Sequence, residues 1–188
     1  MLLTEAKNLH MEHLEDELIN SGQAGQVAIT EYLKGILDLL QGTGTPSKLT
    51  VKWDGAPAII CGTNPQNGRF FIGTKSVFAQ RSKAAYTPAQ IRSFYEGGLG
   101  DKMENAFIYL KRLGIKQVLQ GDLLFDDDIK QSTGDSITFQ PNTIVYKVDK
   151  GTDLYNQVAR ARLGIAFHTT YVGDTLANMD AQFGADIS

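Results

Sequence analysis

Residues 49–60, LTVKWDGAPAII, constrain this chain more than any other stretch. Two apolar, β-prone runs, 49–51 and 58–60, enclose a segment that holds Lys52, Asp54 and Gly55. A lysine inside such a run is costly to bury unless a partner or a ligand takes its charge. Gly55 and Pro57 place a turn between the two runs. Lys52 and Asp54, two apart on an extended strand, are expected to project from one face. The plainer reading of the same two side chains is a surface ion pair.

The rest of the chain supplies enough material to enclose such a strand. Its 188 residues make one domain with a sizeable core, at 42% hydrophobic and 21% charged content. A net charge of −3 provides no general basic field, so a nucleic-acid partner would need a local patch. Lys75, Arg81 and Lys83, with Arg160 and Arg162, are the candidates for it. The single cysteine, Cys61, excludes an internal disulfide and a cysteine-based zinc site, and its apolar run predicts burial. Neither a signal peptide nor a membrane-length apolar run is present, so the expected location is the cytoplasm, with no membrane partner.

Periodicity predicts a short helix at 13–19, a hinge at 21–25 and a longer helix at 26–41. The longer helix carries the stripe Ile29, Leu33, Ile36, Leu37 and Leu40 and is stopped by Gly42 and Gly44. His10 and His13 read as a solvated pair without a third ligand. A hairpin is expected around the turn at 62–68, bringing the strand that ends at Thr74, Lys75 and Ser76 beside the Lys52 strand. Residues 77–86 read as an exposed loop. Thr87 and Pro88 open a helix to Phe94, and Asp101 caps another to Leu113, whose Met103, Phe107, Leu110 and Leu113 are expected to make a buried stripe.

Residues 117–125 form a strand with an acid, Asp122, among apolar neighbours, which suggests a carboxylate aimed into a site. Asp126, Asp127 and Asp128 read as a solvated turn. Strands follow at 136–139 and 142–148, then a helix from Asp153 to Leu163, a strand at 164–172 carrying a lone histidine, His168, and a tail with a short helix. The alternation implies an α+β fold, an antiparallel β-sheet with flanking helices. Within it, 1–48 is helical, 49–173 is the sheet core and 174–188 is the tail.

The motif Lys52-x-Asp54-Gly55 resembles the nucleophile motif of the covalent nucleotidyltransferases, the ATP-dependent DNA ligases, RNA ligases and capping enzymes. Thr74-Lys75-Ser76, Gly121-Asp122 and the strand bearing Tyr146 follow in the order those families use, over residues 49–148. The chain is also similar to a group of tailed-bacteriophage proteins with the same KWDGAP run and a later Gln-Gly-Asp strand. The resemblance implies a fold like the ligase adenylation domain, with Lys52 as catalytic nucleophile and ATP and Mg²⁺ as cofactors. It further implies nucleotide contacts from Asp54, Gly55, Lys75, Asp122 and Tyr146, a metal-placing role for Asp122, and RNA or DNA as acceptor. A catalytically silent phage nucleic-acid-binding or structural protein that retains the fold is the alternative.

Four departures accompany the resemblance. Pro57 stands where many ligases have arginine, and Asp122 is one methylene shorter than their usual glutamate. No Glu-Gly before an apolar strand, and no late Lys-x-Lys pair, follows residue 148. The expectation drawn from these is a chain truncated at its C-terminus rather than a degenerate site.

Overall fold

Among the described residues every strand pairing is antiparallel, and the pairings make two sheets of five and three strands. This arrangement comes from a computed structural model that describes residues 14–44 and 53–185. Lys52, the 49–51 run and the pair His10 and His13 lie outside the described residues. The chain divides into two compact units, one spanning His10–Lys52 and the other containing all the strands.

The first unit contains the helical run α1 (Leu14–Leu40), interrupted at Gly22, where φ is 55° and ψ −124°. That left-handed break falls within the expected hinge. Just beyond it Gly25 lies so close to the Glu17 carbonyl that a Cβ would stand 2.2 Å from the oxygen. The helix ends as Gly42 predicts. Gly42 takes φ 73°, its N–H donates to Leu39, and the Thr43 N–H donates to Asp38, which is the Schellman arrangement.

In the second unit, β1 (Ala58–Thr63) and β2 (Phe70–Gly73) form the expected hairpin. α2 (Pro88–Phe94) follows, with the Thr87 hydroxyl accepting from the Gln90 N–H as a cap. α3 (Gly97–Leu110), β3 (Val118–Asp126), β4 (Gln131–Thr133), β5 (Ser136–Phe139) and β6 (Tyr146–Asp149) come next. α4 (Asp153–Arg160), β7 (Leu163–Val172) and β8 (Asp180–Phe183) complete the unit. The larger sheet has the order β2-β1-β3-β7-β8 and the smaller the order β4-β5-β6.

Period-two alternation splits the larger sheet into two buried faces. Ile59, Cys61, Leu119 and Leu123 pack against Ile91 of α2 and Met103, Phe107 and Leu110 of α3. Ile60, Val118 and Tyr171 pack on the other side against Val77, Phe78 and Leu176. Leu124 and Phe125, at the end of β3, join Ile137, Phe139 and Val148 of the smaller sheet and Val158 of α4.

Several expectations need correction. The stretch 77–86 is not simply an exposed loop, because Val77, Phe78, Ala84 and Ala85 are buried and only residues 79–83 between them are exposed. Lys75 begins a 3₁₀ turn (Lys75–Phe78) rather than ending a strand. α3 starts at Gly97 with Glu96 at its cap, so Asp101 lies within the helix, where it pairs with Arg92. It ends at Leu110, and Leu113, in the 3₁₀ turn that follows, is exposed and leaves the buried stripe to Met103, Phe107 and Leu110. α4 is capped by Thr152, whose hydroxyl accepts from the Tyr155 N–H. It stops at Arg160, where Lys130 donates to the carbonyls of Val158 and Ala161, so Leu163 already belongs to β7. The strand expected at 142–148 is confined to β6, and Ile144 and Val145 are exposed. The tail is not a helix and a frayed end: β8 adds to β7, anchored by the burial of Leu176 and Met179.

Candidate functional site

Asp54 does not sit on a strand of either sheet. Its backbone groups are taken by a side chain instead: its N–H donates to the Tyr146 hydroxyl at 2.8 Å, and that hydroxyl donates to its carbonyl at 3.0 Å. The Asn142 amide donates to the Asp54 carboxylate at 3.3 Å. The Trp53 and Phe139 rings lie against Tyr146, at centroid distances of 5.2 and 5.4 Å. Tyr146 thus clasps the segment that follows Lys52.

The next residues attach to β3. The Ala56 N–H donates to the Leu123 carbonyl at 3.0 Å, and the Leu123 N–H donates to Pro57 at 3.1 Å. Between these contacts, a Cβ on Gly55 would lie 2.4 Å from the Leu123 oxygen and 3.0 Å from the Asp122 Cβ. Only glycine fits that approach without displacement. The glycine of the Lys52-x-Asp54-Gly55 motif and the acid of the Gly121-Asp122 motif are therefore neighbours.

Asp122 pairs with Ala58 on one side and Ala166 on the other. It shares the sheet face of Gln120, whose side chain accepts from the Tyr171 hydroxyl at 2.6 Å. Asp122 is only 9% exposed, yet among the described residues its carboxylate makes no hydrogen bond. His168 lies beside it, with Nε2 3.7 Å from Oδ1. Its oxygens keep some contact with solvent, because among the described residues no fully buried side-chain oxygen or nitrogen lacks a hydrogen bond, and a largely buried carboxylate open in this way can receive a cation. The residues present therefore fit a metal-placing role for Asp122, although no group of three His, Cys, Asp or Glu side chains converges among the described residues.

His168 reaches this position through a β-bulge. Thr169 pairs with Gln120 and Phe167 with Gly121, leaving His168 as the extra residue of β7. Phe167 turns to the first buried face and His168 to the face of Asp122. Gly121 makes this possible, since a Cβ there would meet the Ala166 oxygen at 2.7 Å and the Phe167 ring at 2.9 Å. The sequence shows His168 as a lone histidine, and nothing in its neighbours signals the bulge that turns it toward the acid. Asn142 and Trp53 were likewise missed; the KWDG run already flags Trp53, whereas Asn142 carries no sequence signal.

Lys75 is exposed. β2 leaves the sheet after Gly73, the partner of Ile60, at the same end at which Ala58 pairs with Asp122. Of the other cations in the expected basic patch, Arg162 is engaged by Asp127 at 2.9 Å, which raises its pKa through that hydrogen bond. Asp126 is not solvated. It is 3% exposed and its Oδ1 accepts from the N–H groups of Asp128 and Ile129, so the three acids form a capped turn and not a metal site.

Beside Trp53 opens a cavity of about 730 Å³, walled mainly by apolar side chains such as Leu124, Phe139, Val148 and Phe167. Burial elsewhere silences two ionisable groups: the Cys61 thiol and the Tyr171 phenol are both pushed up to about 12.

No helix among the described residues is long and apolar enough to cross a membrane. No curated protein and no solved structure matches the chain. A family model spans residues 8–188, and the chain belongs to that family, described as a family of unknown function (DUF6267).

Proposed function

We propose that the protein is an RNA- or DNA-ligase-like nucleotidyltransferase that forms a covalent lysyl-adenylate from ATP. The observation that carries this reading is the seating of Gly55 against Leu123 and Asp122, which joins two motifs far apart in the chain. In the reaction, the neutral Lys52 amine attacks the α-phosphate, a P–N bond forms, the bond to the β-phosphate oxygen breaks, and pyrophosphate leaves. Mg²⁺, when bound, neutralises charge on the phosphates. Asp122 holds the acidic side of the site, Asp54 and Gly55 fix the stretch that follows the nucleophile in sequence, and Lys75 offers a cation at the same sheet end. Tyr146 keeps Trp53 and Asp54 in place, and the apolar cavity beside Trp53 accepts the base. The proposed fold class within α+β is that of the ligase adenylation domain, and the proposed acceptor is RNA or DNA.

The second reading is a catalytically silent phage protein that binds nucleic acid or serves in structure. It is favoured by the engagement of the motif's own groups: Asp54 is held by Asn142 and Tyr146, and Tyr146 by Trp53 and Phe139. Incubation with α-labelled ATP and Mg²⁺ separates the two. Retention of one label on the wild type, lost in Lys52→Ala, supports the enzyme. Absence of label with all four nucleoside triphosphates supports the silent protein.

A further inference from the structure

We propose that Asp122 and His168 together hold one divalent transition-metal ion of the Mn²⁺ class, in preference to Mg²⁺. The inference deepens the function proposed above and rests on that reading only for its biological use, because the site itself is argued from geometry. Asp122 is buried on a sheet face without a hydrogen bond among the described residues, and His168 Nε2 is likewise unbonded 3.7 Å away. That separation is too long for a direct hydrogen bond. It suits two donors sharing an ion, since bonds of about 2.0–2.2 Å allow ligand atoms up to about 4 Å apart.

The imidazole is already oriented for the task. Its Nδ1 is 2.8 Å from the Thr169 hydroxyl, which holds the ring so that Nε2 faces the acid. Thr169 is buried at 2% exposure and cannot swing away. A metal-binding histidine is normally fixed in this way through its other nitrogen. The backbone is fixed as well, because the bulge at His168 is set by the close approach of Phe167 to Gly121.

Ligand chemistry selects the ion. Mg²⁺ takes oxygen ligands almost entirely, whereas an imidazole nitrogen beside a carboxylate suits first-row transition ions. With two protein donors, the remaining coordination positions fall to water or to the phosphates of a substrate. His168 itself remains one-third accessible, with 32% of its side chain exposed, so an ion can reach the pair.

The test is Mn²⁺ binding to the whole chain without nucleotide, followed by the loss of the free-Mn²⁺ electron paramagnetic resonance signal. One ion per chain is expected, displaced by Mg²⁺ only in large excess. His168→Ala should weaken Mn²⁺ binding about tenfold or more and leave Mg²⁺ binding little changed. Thr169→Val, which keeps the imidazole but removes its orienting hydroxyl, should weaken Mn²⁺ binding by a smaller factor. Far-UV circular dichroism identifies folded variants, and His168→Gln replaces His168→Ala if the latter does not fold. Mn²⁺ binding that is absent in the wild type, or equal in wild type and the folded His168 variant, overturns the proposal. Because no ATP is present, a failure of lysyl labelling with an intact Mn²⁺ site overturns only the enzymatic reading.

Discussion

The Tyr146 hydroxyl bonds both the N–H and the carbonyl of Asp54, 92 residues earlier in the chain, at 2.8 and 3.0 Å. One side chain from the smaller sheet thereby does what a neighbouring strand would do for that residue. It satisfies both backbone groups and fixes the segment that leads out of Lys52. Asp54 is held by a tertiary contact and not by local secondary structure.

Tyr146→Phe keeps the ring against Trp53 and Phe139 and removes only the two hydrogen bonds. The expected loss is about 1–3 kcal/mol, since the Asp54 backbone groups are left half-buried without a partner. Urea denaturation of the two proteins measures it. A stability equal to wild type would show that water replaces the hydroxyl without cost.

Gly55→Ala places a Cβ where the Leu123 carbonyl stands, at 2.4 Å in the unrelaxed chain. The segment must lift from β3, with an expected destabilisation of about 1–3 kcal/mol. If lysyl labelling occurs, it should fall in this variant even when the protein remains folded, because Gly55 and Asp122 separate. Thermal unfolding and labelling, measured on one preparation, distinguish the two effects.

Cys61 is fully buried between β2 and β3, and burial lifts its thiol from 9.0 to about 12. The folded state therefore keeps the proton that the unfolded chain releases above pH 9. Stability from this group is complete below pH 9 and is lost progressively as pH rises toward about 12. Iodoacetamide at pH 8 should leave the native thiol unmodified and alkylate it in denaturant. Rapid native alkylation would contradict the burial.

Single-stranded RNA or DNA, if bound, should be held by a salt-sensitive interaction through the exposed cations Lys75, Arg81 and Lys83. Replacing all three with alanine should lower the steepness of log affinity against log salt by about 2, from about 0.7 for each lost phosphate contact. An unchanged slope would move the binding surface elsewhere. Arg162, already paired with Asp127, should contribute less than its charge suggests.

What could be read without the fold is what local chemistry sets. The Thr87-Pro88 opening of α2, the apolar stripe of α3, the Gly42 stop of α1, the hairpin around 64–68 and the buried strand carrying Asp122 all follow from capping, periodicity or turn preference within a few residues. The tertiary structure alone decided the rest, because each remaining feature depends on a partner distant in sequence. Whether Asp54 lies on a strand was settled by Tyr146, and the C-terminal residues became β8 because β7 offered an edge and the core had room for Leu176 and Met179. The placement of His168 beside Asp122 turned on one unpaired residue. A bulge opposite Gly121 shifts the register of β7 by one, and since side chains alternate with a period of two, only the paired strands show which acid the histidine faces.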